Sequence, residues 1–74
     1  MKRTRVESSS IVSIGYDSKK QILEIEFVGG AVYQYFDVPQ EEYQWLMEAD
    51  SKGRYVNGNI KDNYRFLQVG RSAE

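Results

Sequence analysis

Residues 21–36 read QILEIEFVGGAVYQYF, and the way this stretch is paired with itself decides the fold. Apolar and polar side chains alternate on both sides of Gly29-Gly30, which is the strand period. Two consecutive glycines tolerate the positive φ angles of a tight hairpin, so the stretch predicts strands over 21–28 and 31–36 joined by a two-residue turn. With Gly29 and Gly30 as the loop, Val28 pairs with Ala31, Glu26 with Tyr33 and Glu24 with Tyr35. One face then carries Glu24, Glu26, Tyr33 and Tyr35, and the other Leu23, Ile25 and Phe27 beside Val32, Gln34 and Phe36. The second set is the more apolar and is expected to be the side covered by helices.

Upstream, residues 10–16 alternate in the same way and predict a first strand, linked to the second by Asp17-Ser18-Lys19-Lys20. Pairing Ile14 with Leu23 adds Val12, Ile14 and Tyr16 to the covered side. Ile11, Ser13 and Gly15 fall on the outer side, where the small residues leave open space beside the carboxylates and tyrosines.

Downstream, the period becomes helical. Pro39 suits the first turn of a helix because its missing N–H has no partner to lose there, and Glu41 and Glu42 complement the helix N-terminus. Tyr43, Leu46 and Met47 form the apolar stripe, with Trp45 off it. Ser51 reads as the N-cap of a shorter helix carrying Tyr55, Val56 and Ile60, with Gly58 weakening its end. Residues 64–69 are a candidate fourth strand at the sheet edge. The expected architecture is α+β: a three-stranded antiparallel meander, four-stranded if the C-terminal segment joins, with one longer and one short helix on one face. The whole chain, 1–74, makes a single domain, ordered over about 6–69.

Composition narrows the function. The chain of 74 residues has no cysteine and no histidine. That removes disulfide scaffolds, thiolate metal sites, the commonest metal ligand and every Ser-His or Cys-His arrangement. No cofactor and no metal are expected. The first residues hold no apolar stretch of signal-peptide or membrane-span length, so a cytoplasmic location is the expectation. A core this small supplies only about 3 to 5 kcal/mol of net stability.

The net charge is −1, but its distribution is uneven. Residues 1–20 are basic on balance, residues 21–50 hold seven acidic side chains and no basic one, and residues 51–74 are basic again. Such a division can steer an anionic partner to one side of a nearly neutral molecule. Ordinary solvated charge explains it equally well.

Outward tyrosines at i and i+2 are the leading contact residues. Aromatic rings on an open sheet can stack on nucleobases at about 1 to 3 kcal/mol each. Glu24 and Glu26, directly across, are expected to repel a phosphate backbone, which leaves Arg54, Lys61 and Arg65 to carry phosphates. A structural role competes, because tyrosine is a good strand former. Ser51-Lys52-Gly53-Arg54 at a helix start offers N–H groups and cations to a phosphate, or is simply a capped helix with a glycine for close packing. It lacks the full P-loop pattern. The pair Glu24 and Glu26 has the residue type for acid–base chemistry, but two solvated strand glutamates are the simpler reading, and no enzyme is expected.

Ser9-Ser10, Ile14-Gly15-Tyr16-Asp17, Leu23 to Phe27, Gly30, Tyr33-Gln34-Tyr35-Phe36, Val38-Pro39 and Ser51-Lys52-Gly53-Arg54-Tyr55-Val56-Asn57 with Ile60 together resemble the KTSC domain. The resemblance spans about Val6 to Val69, and Tyr33 and Tyr35 match its Tyr-x-Tyr motif. It implies a domain of the kind found at the C-terminus of some lysyl-tRNA synthetases and as small stand-alone bacterial and phage proteins. It also implies RNA or tRNA as a partner, with Tyr33, Tyr35, Ser51, Gly53, Arg54 and Asn57 as contact candidates beside the basic Lys61 and Arg65. Another protein, docked on exposed sheet aromatics, is the alternative partner.

Overall fold

A computed structural model describes residues 1–71. Five strands form one antiparallel sheet in the order β1 to β5: β1 Thr4–Arg5, β2 Ile11–Asp17, β3 Ile22–Phe27, β4 Ala31–Tyr35 and β5 Phe66–Arg71. Between β4 and β5 the chain makes α1, Gln40–Glu48, then α2, Lys52–Tyr55, which runs directly into a π-helical segment, Val56–Ile60. The α+β class is as expected, and the sheet is larger than the three-stranded meander. The C-terminal strand joins the edge beside β4. On the other edge, the basic N-terminal segment adds β1, a two-residue strand that no hydrophobic alternation announces.

The β3–β4 hairpin corrects the expected register. The Gly30 N–H donates to the carbonyl of Phe27 at 2.9 Å, and Val28, Gly29 and Gly30 all lie outside the strands. Gly29 and Gly30 take φ of 103° and 101°, a conformation open to glycine at little cost. With three loop residues instead of two, Ile25 faces Tyr33 and Leu23 faces Tyr35, while Glu24 faces Gln34. A shift of one residue moves every β4 side chain to the opposite face. Tyr33 and Tyr35 therefore lie on the helix-covered side, and Tyr35 is only 3% exposed.

The first strand is corrected as well. An irregularity between Ile11 and Ser13 pairs Ile11 with Phe27, and Ile11 is buried in the core rather than turned outward. The core joins Ile11, Ile14, Leu23, Ile25 and Tyr35 of the sheet to Val38, Leu46, Val56 and Ile60 of the helical half. Leu46 is the centre of the α1 stripe, flanked by partly buried Tyr43 and Met47 as the helical spacing predicts. Tyr43 stacks on Tyr16 at 4.8 Å between ring centroids, and the Tyr16 hydroxyl donates to the Val38 carbonyl at 2.5 Å. Pro39 is the N-cap of α1, one position earlier than the first helical turn. Ser51 caps α2, accepting from the Arg54 N–H at 3.3 Å.

The face away from the helices holds a polar network. Arg3 reaches over Gly15 and makes an ion pair with Glu24; its Nε donates to Ser13 Oγ at 2.9 Å, and Ser13 in turn donates to Glu26 at 2.9 Å. Gln34 donates to the second oxygen of Glu24 at 2.8 Å. Glu24 is only 6% exposed, so the glutamates are not solvated as expected. The open space expected beside Gly15 is filled: a Cβ there would lie 2.6 Å from the Lys2 carbonyl oxygen. Glycine is needed at this position to let β1 approach.

A candidate binding groove between the short helix and the last hairpin

The helical half leaves one stretch of the covered face open. There, α2 and the π-helical segment stand off from β4 and β5, and a groove of about 440 Å³ lies between them. Tyr33, Tyr35 and Phe66 form its sheet wall, and Gly53, Asn57 and Lys61 belong to its helical wall. Ser10, Phe27, Ala31 and Val56 complete the lining.

The three sheet rings touch one another. Centroids lie 6.4 Å apart for Tyr33 and Tyr35, 5.7 Å for Tyr33 and Phe66, and 5.9 Å for Tyr35 and Phe66. Phe27 meets Tyr33 edge-on at 5.7 Å. Tyr35 is anchored deepest, and burial, with the Tyr33 phenol beside it, raises its pKa above the ordinary tyrosine value. Phe66 remains 54% exposed. Among the described residues, the side chains of Ser10, Tyr33, Tyr35, Asn57 and Lys61 make no hydrogen bond within the chain, and no polar side-chain atom is buried without a partner. The polar groups of Ser10, Tyr33, Asn57 and Lys61 are thus open to solvent, while Tyr35 is nearly buried. An apolar wall with a few free polar groups is the usual composition of a ligand site.

Gly53 shapes the helical wall. A Cβ at this position would lie 2.4 Å from Ser10 Oγ, so the glycine lets the residue just before β2 sit against α2. Asn57 lies in the π-helical segment, a distortion that recurs at functional positions.

Five of the expected contact residues, Tyr33, Tyr35, Gly53, Asn57 and Lys61, therefore meet around one groove. The others do not. Ser51 is occupied as a helix cap, and Arg54 is exposed outside the lining. Arg65 pairs with Asp37 at 3.1 Å and lies over the Phe36 ring at 5.7 Å. Phe66 was missing from the candidates. Its signal was present in the candidate C-terminal strand, but only the observed pairing with Tyr35 brings it beside the tyrosines.

Two further features bear on chemistry. The Tyr55 and Tyr64 hydroxyls both donate to Glu42, the latter at 2.8 Å. Burial, these hydrogen bonds and the carboxylate's charge push both phenols up to about 12. Among the described residues, no group of three or more acidic, histidine or cysteine side chains is placed to hold a metal, and no helix is long and apolar enough to cross a membrane.

Sheet, helices and groove define a class: a small α+β domain in which a short helix and a C-terminal hairpin strand enclose an aromatic cleft. The chain belongs to the KTSC domain family, whose model matches residues 7–64. It is 50% identical over 70 residues to an uncharacterised protein of Stutzerimonas stutzeri, covering 93% of this chain and 99% of that one. A lysine–tRNA ligase of Nostoc punctiforme is 43% identical over 63 residues, which are 85% of this chain and 11% of the ligase. The crystal structure of a KTSC domain protein from Yersinia pestis superimposes with a TM-score of 0.91 at 43% identity, covering 93% of this chain and 97% of that one. That likeness extends well past the residues matched by the family model.

Proposed function

We propose that this chain is a non-catalytic RNA-binding module and that the aromatic groove is its contact surface, with tRNA as the leading RNA. The observation that carries the reading is the composition of the groove: among the described lining residues there are four aromatic rings, one lysine and no carboxylate. Rings offer stacking surface to a base, and a cation without a neighbouring carboxylate attracts its phosphate. The acidic objection raised by the sequence does not apply here. Glu24 faces Gln34 across the sheet, on the side opposite Tyr33 and Tyr35, and is paired with Arg3. The ligase of Nostoc punctiforme, by its name, acts on tRNA, and its matching segment supports an RNA partner for this chain.

A titration with tRNA, followed by amide chemical shifts, tests the reading. Tyr33, Asn57, Lys61 and Phe66 are expected to shift, and affinity to fall with added salt at a slope of about −0.7 per phosphate contact in a single strand. Unchanged spectra at high RNA concentration would overturn it.

A second reading, a protein-docking module, is favoured by one observation. β5 is an edge strand whose Phe66, Leu67 and Val69 are exposed, and an open strand edge can accept an extended segment of another chain. It predicts partner capture that persists at high salt and is lost on Leu67→Lys.

A further inference from the structure

We infer, resting on the RNA reading above, that the groove takes one unpaired nucleotide of a single-stranded RNA, its base stacked on Phe66 and its phosphate held by Lys61.

Ring geometry excludes a slot. Tyr33, Tyr35 and Phe66 already touch, with centroids no more than 6.4 Å apart, and a base inserted between two rings needs about twice the stacking distance of flat aromatic groups. A base must lie on the outside of the cluster. Tyr35 is nearly buried, and the Tyr33 ring is already engaged by both Phe27 and Phe66. Phe66 alone is more than half exposed, so it is the ring with a face to give.

Duplex RNA hides its base faces inside the stack and shows mainly phosphates, ribose hydroxyls and base edges, so only an unpaired base presents what Phe66 can use. Among the described lining residues, Lys61 is the one cation. Asn57, on the same wall, has both a donor and an acceptor that no other group among the described residues uses, which suits the edge of a base lying on the ring. The volume of about 440 Å³ is within the range of small-ligand sites and fits one nucleotide rather than a helix. Phe66 lies beyond residues 7–64, so the family match by itself would not point to it.

The test is fluorescence anisotropy with a labelled ten-nucleotide RNA, single-stranded or annealed to its complement, against the wild-type chain and three variants. Single strands are expected to bind at least about tenfold more tightly than duplex. Phe66→Leu, which keeps an apolar side chain but removes the ring, is expected to weaken binding about 5- to 150-fold, the worth of one base–aromatic stack. Phe66→Trp retains binding, and Lys61→Ala weakens it and flattens its salt dependence. Equal affinity for strand and duplex, or wild-type binding by Phe66→Leu, overturns the inference while leaving RNA binding intact. A free mononucleotide binding as tightly as the strand overturns the assignment to RNA strands. Absence of binding to any RNA brings down the broader reading and this inference with it.

Discussion

Replacing Arg3 by alanine would leave Glu24 on the sheet face with the Gln34 amide as its remaining partner among the described residues and with little water to replace the guanidinium. Removing one partner of a largely buried pair costs more than the pair contributes, because the survivor keeps its desolvation penalty. Arg3→Ala is expected to lower unfolding free energy by about 1 to 3 kcal/mol in urea titrations. Arg3→Ala combined with Glu24→Gln should cost clearly less than the two single changes together, since the neutral amide tolerates the loss of the cation. Strict additivity would show that the network does not couple. Nothing in the local sequence announces this role. Arg3 lies in a basic segment that reads as solvated charge, and its partners are 21 and 23 positions away.

At the level of elements, whether Val28 belongs to the strand or to the loop decides which side of β4 meets the helices. Val28 lengthens the hairpin loop to three residues and is itself 61% exposed, so its contribution is geometric rather than apolar. Deleting it leaves Gly29-Gly30 as a two-residue loop with Phe27 still opposite Ala31, so Tyr33 and Tyr35 keep facing the core. Both the deletion and Val28→Ala are expected to keep cooperative thermal unfolding and near-ultraviolet dichroism close to wild type. A deletion variant that loses cooperative unfolding and exposes Tyr35 would show that the three-residue loop, not side-chain packing, fixes the register. The sequence gives little help here because Val32, Gln34 and Phe36 are hardly more apolar than Ala31, Tyr33 and Tyr35. Where the contrast is sharp, as at Tyr43, Leu46 and Met47 of α1, the expected face is the buried one.

Across the whole molecule, Glu42 links three parts of the chain: α1, where it resides, Tyr55 at the end of α2, and Tyr64 on the approach to β5. Both phenols hold their protons up to about 12, above the value near 10 of an unfolded chain. A group whose pKa is raised by folding contributes stability in full below its unfolded pKa and loses it as pH climbs through the folded value. Stability from this cluster is therefore intact below about pH 10 and declines between about pH 10 and 12. Phenolate absorbance should show two tyrosines titrating late, near 12, and urea midpoints should fall over the same interval. Glu42→Gln is expected to bring both tyrosines to lower pKa and to flatten that fall; an unchanged titration curve would remove Glu42 as the cause.

The sequence by itself determined what is local or compositional: an α+β chain of alternating strands followed by two helices, a cap at Ser51, a buried stripe on α1, and the absence of histidine and cysteine chemistry. These follow from periods and caps that operate within a few residues. Only the tertiary structure decided that β1 exists, that Arg3 neutralises Glu24, and that Tyr33 and Tyr35 turn toward the helices to meet Phe66, Asn57 and Lys61. Each of these depends on register between distant segments. Side chains alternate with a period of two, so one extra loop residue reverses a strand's faces without changing the hydrophobic pattern of the strand itself.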